Sequence, residues 1–269
     1  MESNGRHPIL ELRGISKHFG AVQALSDVDF EVYPGEVVAL VGDNGAGKST
    51  LIKAIAGINM PDTGEMIFEG KPVTVHGPRD VTRIGIATVY QDLALCDNLD
   101  VVSNLFLGRE ELERTVPALD EESMEKRAIE VLSTLSVRLP SVRTQIASLS
   151  GGQRQSTAVA RSVLWDAKVV LLDEPTAALG VAQTRQVLDL IRRLRERRLG
   201  VVVISHNLAD VFEVCDRIVV LRLGRRVADF RVEDARREQV VAAITGADIG
   251  VLAEDQLNTT NEKKEETIS

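Results

Sequence analysis

The stretch Gly42-Asp43-Asn44-Gly45-Ala46-Gly47-Lys48-Ser49-Thr50 decides how this chain folds, because it fits the pattern G-x-x-x-x-G-K-[ST] in full. A short apolar run rich in β-branched residues, 37–41, precedes it, and a segment with helical spacing, 51–57, follows. Strand, glycine loop and helix start form the context in which this pattern binds phosphate. The alternative is a Gly-rich turn that happens to end in Lys-Ser, and the flanking segments argue against it.

The glycine loop predicts a bound nucleoside triphosphate. Its glycines let successive backbone N–H groups turn inward around a phosphate, and the helix N-terminus adds partial positive charge. Lys48 is expected to reach the terminal phosphates, and the Ser49 hydroxyl to ligate Mg²⁺. The nucleotide-binding residues predicted here are Gly42, Asp43, Asn44, Gly45, Ala46, Gly47, Lys48, Ser49 and Thr50.

A carboxylate pair follows another apolar run. Residues 168–172 are predicted to form a buried strand, and Asp173 and Glu174 come directly after it, before Pro175. Ligands of open parallel sheets bind outside the carboxyl ends of the strands. Asp173 is therefore predicted to hold Mg²⁺, and Glu174 to polarise or deprotonate the attacking water. A solvated turn is the alternative, which the uniformly apolar strand disfavours.

Three further side chains are candidates for the same site. Gln91 and His206 each follow an apolar strand directly, where an amide could contact both Mg²⁺ and water, and an imidazole could bond the γ-phosphate. A lone His is more often structural, so the pattern alone leaves His206 open. Phe19 lies in a predicted loop, 17–20, where it could stack on an adenine ring or pack in the core; the local pattern does not distinguish the two.

Composition narrows the class of protein. The 269 residues carry a net charge of −8 without a basic run, so no nucleic-acid partner is expected. No apolar run reaches the roughly 18 to 20 residues that span a bilayer, so any membrane role is expected to act through partners. Cys96 and Cys215 have neither metal-ligand nor disulfide spacing, which indicates a reducing compartment.

The pattern along the chain predicts an α/β fold. Apolar runs buried on both faces alternate with helices, which is typical of a largely parallel sheet covered by helices. Residues 84–90 and 218–223 are expected to be strands, Gly200 to cap a helix of residues 181–198, and the last helix to lie near 232–245. No second glycine loop is found, so the sequence predicts one nucleotide domain.

Domain boundaries follow from changes in pattern. Residues 1–8 are expected to be a flexible N-terminus, 9–246 the folded domain, and 247–269 a polar tail without periodicity that is disordered. Between about 92 and 148 the pattern becomes helical and rich in charge, which predicts an inserted helical subdomain. Its apolar stripe is expected to consist of Met124, Ala128, Val131 and Leu132.

Taken in order, these motifs resemble the ATPase subunits of ABC transporters. Five motifs occur in the order seen in that family: Lys48 with its glycines, Gln91, the stretch Leu149-Ser150-Gly151-Gly152-Gln153, the Asp173-Glu174 pair and His206. The Leu-Ser-Gly-Gly-Gln signature downstream of a glycine loop is very specific to it. The resemblance covers residues 9–246 and implies a P-loop nucleotide hydrolase core with an antiparallel β subdomain and a helical subdomain that receives the permease.

The resemblance also implies roles and partners. Phe19 would be the adenine-stacking aromatic, Gln91 the loop that senses the membrane partner, and His206 the switch histidine. ATP and Mg²⁺ are the implied cofactors. The signature at a helix start offers a second anion-binding N-terminus, and in the family it closes on ATP held by the opposite subunit. The resemblance therefore implies a head-to-tail dimer with a second copy or with a paralogue. In that dimer the ATP of the opposite subunit would be contacted by Ser150, Gly151, Gly152 and Gln153.

Weaker features indicate the subfamily. Residues 102–110 and the Gly-Asp-Asn-Gly-Ala-Gly form of the loop are similar to importers for simple sugars such as ribose, xylose and fructose. Those ATPases usually carry two such domains, so a single domain resembles the shorter, fructose-type form. The family usually has Asp where this chain has Gly180, which puts strong coupling between the two ATP sites in doubt.

The resulting hypothesis is an ATP-hydrolysing subunit on the cytoplasmic face of a bacterial inner membrane. It would act with transmembrane permease subunits and, indirectly, with a periplasmic sugar-binding protein. Three alternatives remain: an importer ATPase for another solute, a soluble ABC-type ATPase acting on ribosomes or DNA, and a phosphotransferase. The last would have no use for the signature, and the second is disfavoured by the acidic charge and the lack of a basic arm.

Overall fold

The computed structural model describes residues 7–113 and 117–247. The predicted flexible N-terminus and disordered tail therefore lie outside the described residues, apart from residues 7, 8 and 247. The strands are β1 (Leu10–Phe19), β2 (Val22–Val32), β3 (Val37–Val41), β4 (Thr63–Phe68), β5 (Lys71–Val73), β6 (Ile86–Val89), β7 (Val169–Asp173), β8 (Gly200–Ile204), β9 (Arg217–Arg222) and β10 (Arg225–Arg231). The helices are α1 (Lys48–Ile55), α2 (Pro78–Ile84), α3 (Val101–Phe106), α4 (Glu121–Thr134), α5 (Gly151–Leu164), α6 (Val181–Glu196), α7 (Leu208–Val214) and α8 (Arg237–Thr245), with a 3₁₀ turn at Ile146–Ser148.

A six-stranded sheet forms the centre of the fold. Its order is β10-β9-β3-β8-β7-β6, and its neighbours from β9 to β6 are parallel, whereas β10 is an antiparallel edge strand. Every residue of β3 and β8 is buried, as expected for strands covered on both faces. The prediction of a largely parallel sheet is confirmed.

The two faces of this sheet contact different layers. Along β3, Val37, Ala39 and Val41 belong to one apolar core, and Val38 and Leu40 to another, because successive side chains of a strand point to opposite faces. The second core also contains apolar residues of β1, β2 and α1, so an antiparallel sheet of order β2-β1-β4-β5 covers that face. This sheet is the predicted antiparallel β subdomain.

Helices cover the opposite face. Residues 92–148 include α3, α4 and the 3₁₀ turn, and their apolar residues share one core with those of α5 and α6. The predicted stripe on α4 is confirmed, because Met124, Ala128, Val131 and Leu132 are all buried. Within the described part of the chain, none of the helices is long and apolar enough to cross a membrane.

Two local predictions are wrong. Residues 17–19 are not a loop, since β1 continues through irregular pairing with β2 to Phe19. Gly200 does not cap a helix: α6 ends at Glu196, the chain turns at Arg198 with φ 64°, and Gly200 opens β8. A Cβ at Gly200 would lie 2.7 Å from Val32 Cγ1, so close strand packing explains this glycine.

Two predicted elements begin later than expected, and one strand was not predicted. The apolar run beginning at residue 84 contains the end of α2, and the strand itself starts at Ile86. The last helix starts at Arg237, because β10 occupies residues up to Arg231. Most of β10 is exposed at the sheet edge, so it lacks the apolar run by which the inner strands are found.

Candidate functional site

Four neighbouring strand ends carry the predicted site residues. The glycine loop follows β3, His206 follows β8 after Ser205, Glu174 follows β7, and Gln91 follows β6 after Tyr90. The register aligns these ends, since Leu40 and Asp173 both lie beside Ile204, and Val89 lies beside Leu172. The structure therefore brings the glycine loop, Gln91, Asp173, Glu174 and His206 to one edge of the parallel sheet.

The glycines of the loop are required by its packing. Gly42 has φ 151° and Gly47 has φ 105°, both in a region that favours glycine. A Cβ at Gly42 would clash with the carbonyl oxygen of Leu221, and one at Gly47 would lie 2.9 Å from the carbonyl oxygen of Ala24. The loop is thus seated between β9 and β2, with its backbone held in place by the surrounding protein.

The start of α1 is free to bind an anion. Gly47 occupies the N-cap position without a side-chain cap, and no acidic residue lies in the first turn, so the first N–H groups keep their hydrogen-bonding capacity. The Lys48 ammonium donates to the carbonyl oxygens of Gly42 (2.7 Å) and Asp43 (3.0 Å). The side chain of Ser49 is exposed beside it. The loop, its lysine and an exposed serine therefore lie together at the start of α1.

Glu174 is held by the strand next to its own. Its backbone N–H donates to the Ile204 carbonyl at 3.0 Å, and its φ of 50° lies in the left-handed region, where backbone strain accompanies functional positions. Its carboxylate Oε2 lies 2.8 Å from Nδ1 of His206. The Glu174 side chain is 19% exposed and that of His206 is 75% exposed. The carboxylate is therefore shielded while the imidazole faces solvent.

Oxygen donors suited to Mg²⁺ lie near the loop. Burial raises the pKa of Asp173, the nearby Glu174 raises it further, and Lys53 and Lys48 only partly oppose this. Its carboxylate has no hydrogen-bond partner among the described residues. A carboxylate, the Ser49 hydroxyl and the Gln91 amide are the oxygen ligands that Mg²⁺ prefers, so the residues present fit this ion.

The Leu-Ser-Gly-Gly-Gln signature caps helix α5 and is not bonded to the glycine loop of the described chain. Ser150 Oγ accepts from the Gln153 N–H at 3.3 Å and the Ser150 N–H donates to Gln153 Oε1 at 3.0 Å, which together form a capping box at the start of α5. A Cβ at Gly151 would lie 2.8 Å from Leu179 Cδ2, so this turn packs against the segment leading to α6. No hydrogen bond connects the signature to the glycine loop in the part of the chain that the structure describes.

Phe19 is a surface residue on the hairpin that borders the glycine loop. It is 47% exposed, so the alternative of a core Phe is wrong. It ends β1 at the hairpin with β2, and β2 contacts the glycine loop through Ala24. The aromatic ring therefore belongs to the same hairpin that borders the phosphate-binding loop.

A groove beside β6 was not found by sequence reasoning. It has a volume of about 230 Å³ and is lined by β6, Leu107, Arg109, Arg161 and Trp165, among others. Arg161 donates to the Ala94 carbonyl at 3.2 Å, and burial lowers the pKa of its guanidinium. The Arg109 guanidinium lies 4.8 Å from the Trp165 ring. The signal that the sequence offers is the single Trp of the chain, which directly follows the amphipathic helix α5.

A glycine loop at the start of α1, with a carboxylate pair two strands away in a parallel sheet, defines a P-loop nucleoside triphosphatase. A family model for the ABC transporter matches residues 25–177. The chain belongs to this family of ATP-hydrolysing transporter subunits, which confirms the resemblance, the fold class and the prediction of an ATPase.

Relatives that align over 90% of this chain are named as sugar-import proteins. The xylose/arabinose import ATP-binding protein of Sulfolobus acidocaldarius is 46% identical and 96% of its length is covered. The fructose import ATP-binding protein of Rhizobium meliloti is 48% identical, with 95% covered. A ribose import ATP-binding protein of Rubrobacter xylanophilus is 43% identical, but only 48% of it is covered. The chain thus matches two short relatives almost throughout and about half of the longer one.

Solved structures show the same architecture. A nucleotide-free ATP-binding cassette from an ABC transporter has a TM-score of 0.76 and 26% identity, covering 91% of this chain and 98% of that one. The ADP conformation of another ATP-binding cassette has a TM-score of 0.75 and 26% identity, and the match covers 90% of this chain and 96% of that one. A dimeric bacterial ABC transporter cassette has a TM-score of 0.69 and 25% identity, and the match covers 83% of this chain and 98% of that one.

Proposed function

We propose that this protein is the ATP-hydrolysing subunit that energises import of a monosaccharide. The observation that carries the proposal is the Glu174–His206 contact at the strand edge beside the glycine loop. The sugar-import names of relatives up to 48% identical support the solute class. The particular sugar would be selected by the permease and by a periplasmic binding protein.

The proposed reaction begins with phosphate binding. The backbone N–H groups of the glycine loop and α1 bind the phosphates, and the Lys48 ammonium exchanges its carbonyl partners for phosphate oxygens. Phe19 stacks on the adenine ring. Asp173, Ser49 and Gln91 would hold Mg²⁺, and the ion would supply positive charge beside the phosphates.

The chemical step is transfer of the γ-phosphoryl group to water. Glu174 accepts a proton from the attacking water while the oxygen of that water forms a bond to the γ-phosphorus. The bond from that phosphorus to the β–γ bridging oxygen breaks, which releases ADP and inorganic phosphate. His206 orients the Glu174 carboxylate through Nδ1, and its exposed ring is free to bond the γ-phosphate.

The ATP site is proposed to be completed by a second copy. The Ser150 turn makes no hydrogen bond to its own glycine loop within the described residues, and its hydroxyl is exposed. A head-to-tail homodimer would place this turn on ATP bound by the partner. The dimeric form of a related cassette, at 25% identity, supports this arrangement.

The groove beside β6 is proposed to receive a cytoplasmic segment of the permease. It lies between the nucleotide-binding sheet and the helical region, and Leu107 is 47% exposed at its edge. A segment seated there would contact β6, which leads directly to Gln91. The protein would thereby be held at the cytoplasmic face of the inner membrane.

The nucleotide site is tested by binding and phosphate release. Lys48→Ala is expected to lose most Mg-ATP binding and hydrolysis, because it removes the cation for the terminal phosphates. Lys71→Ala, which changes an exposed lysine on β5, is the matched control and is expected to behave like the wild type. If Lys48→Ala bound and hydrolysed Mg-ATP normally, the proposed phosphate site would be wrong.

Coupling to import is tested with the permease in liposomes. Leu107→Glu is expected to abolish ATP hydrolysis stimulated by the permease and sugar-loaded binding protein, while basal hydrolysis persists. Ile129→Glu alters a similarly exposed apolar residue on α4, outside the groove, and is expected to have no effect. Equal stimulation of both variants would argue against docking at the groove.

A further inference from the structure

A turn after α1 packs closely on the end of β1. The backbone N–H of Asp62 donates to the Ser16 carbonyl at 2.8 Å. Gly64 has φ 100°, and a Cβ there would lie 2.6 Å from the carbonyl oxygen of Arg13. Only glycine allows this approach, so the turn is fixed against the strand that carries Phe19.

The Asp62 carboxylate binds the two residues that precede Phe19. Its Oδ1 accepts from the Lys17 ammonium at 2.7 Å, and its Oδ2 accepts from the His18 backbone N–H at 2.6 Å. The His18 Nδ1 lies 3.3 Å from the same Oδ2. The Lys17 ammonium and the His18 N–H hold the pKa of Asp62 at about 2, so the carboxylate is ionised at neutral pH.

Backbone pairing of β1 with β2 continues to the end of the hairpin, but it is irregular there. The pairing of β1 with β2 shifts register between Ile15 and Lys17 and again between Lys17 and His18. Residues 18–22 are exposed, so burial does not fix the hairpin end. Two charge-assisted bonds from one carboxylate are stronger than neutral ones, and they fall on the irregular segment.

We propose that Asp62 is a positioning residue for adenine recognition, which holds the end of β1 so that Phe19 is set in place over the nucleotide. The inference rests on the proposed stacking role of Phe19. Among the described residues, the Asp62 carboxylate makes no hydrogen bond or ion pair with the glycine loop, Asp173, Glu174 or His206. Its effect is therefore confined to the base and leaves the triphosphate contacts intact.

The experiment separates base from phosphate by comparing two probes. Affinities for Mg-ATP and for inorganic tripolyphosphate with Mg²⁺ are measured by calorimetry on the full chain. Stacking of a base on an aromatic residue supports a loss of about tenfold in ATP affinity for Phe19→Ala. Asp62→Ala is also expected to lower the affinity for Mg-ATP, by about threefold to tenfold. Neither variant is expected to change tripolyphosphate affinity.

Two variants refine the measurement. Asp62→Asn keeps an oxygen that accepts from the His18 N–H but loses the charge that binds Lys17, so an intermediate loss is expected. In the Phe19→Ala background, Asp62→Ala is expected to cause no further loss, because residues that act through one another are not additive. Glu65→Ala removes an exposed acid on the neighbouring strand β4 and is expected to change neither affinity.

The outcomes distinguish the inference from the proposed function. If Phe19→Ala weakens ATP binding but both Asp62 variants do not, the inference is overturned and stacking survives. If Asp62→Ala weakens ATP and tripolyphosphate equally, Asp62 supports the fold or the phosphate cradle, and the inference is wrong. If Phe19→Ala leaves ATP affinity unchanged, the stacking role and the inference fall together. Should Asp62→Ala not fold, Asp62→Asn provides the same comparison.

Discussion

Nδ1 of His206 lies 2.8 Å from Oε2 of Glu174, across the ends of the adjacent parallel strands β8 and β7. The two side chains differ in exposure, since the carboxylate is shielded and the imidazole faces solvent. A shielded carboxylate held by a ring nitrogen can accept a proton from water in a fixed orientation. The pair therefore suits a base and its positioning group.

The first prediction concerns the base. Glu174→Gln keeps the shape of the side chain but cannot accept a proton, so turnover is expected to fall about 10²-fold to 10⁴-fold. ATP is expected to remain bound and to trap the dimer, which size-exclusion chromatography would detect. Glu233→Gln changes an exposed glutamate on the surface and serves as the control. Normal hydrolysis by Glu174→Gln would show that another group is the base.

The second prediction concerns the pH dependence of stability. Because the folded state raises the pKa of Asp173, ionising this carboxylate opposes folding. This unfavourable contribution is full above the raised pKa and disappears as the pH falls below the unfolded value. Asp173→Asn is therefore expected to raise the melting temperature without nucleotide at pH 7.5, and to raise it less at lower pH.

The control for this prediction is Asp234→Asn, at an exposed position, which is expected to leave the melting temperature unchanged. Mg-ATP is expected to stabilise the wild type but much less the Asp173→Asn variant, because the proposed Mg²⁺ ligand is lost. A lower melting temperature for Asp173→Asn without nucleotide would contradict the argument from burial.

The third prediction concerns the glycine loop. Gly42→Ala is expected to destabilise the fold by more than about 2 kcal/mol, because its φ is positive and its Cβ would clash with the Leu221 backbone. Gly70→Ala also has positive φ but meets open space, so a loss of only about 1 kcal/mol is expected. Urea unfolding measures both. Equal losses would mean that the loop relaxes away from β9.

Sequence patterns predicted the position of the candidate site residues in the fold better than they predicted the surface elements. The glycine loop, the Asp173-Glu174 pair and His206 follow strands that are buried on both faces, so apolar runs locate them. The parallel register then brings these residues to one edge. Residues 92–148 were predicted to be helical for a similar reason, since the stripe on α4 faces the core.

What the sequence did not predict depends on packing between distant segments. The edge strand β10 is mostly exposed and has no apolar run. β1 extends to Phe19 through irregular pairing with β2, and Asp62, more than 40 residues away, accepts a hydrogen bond from its His18 N–H. Gly200 is explained by close contact with Val32 rather than by a helix end. None of these contacts leaves a local pattern.

The last prediction concerns coupling between the two ATP sites. Gly180 is the N-cap of α6, and a Cβ there would meet nothing within 4 Å, so Gly180→Asp fits the fold and is expected to change stability by only a few tenths of a kcal/mol. The family that this chain resembles usually has Asp here to link the sites. We therefore expect a Hill coefficient near 1 for ATP hydrolysis by the wild type, rising in Gly180→Asp. Thr184→Ser, one turn further along α6, is the matched conservative control and is expected to leave the coefficient unchanged. A strongly cooperative wild type would show that Gly180 does not uncouple the sites, and a rise in the control would mean that any change near the start of α6 alters cooperativity.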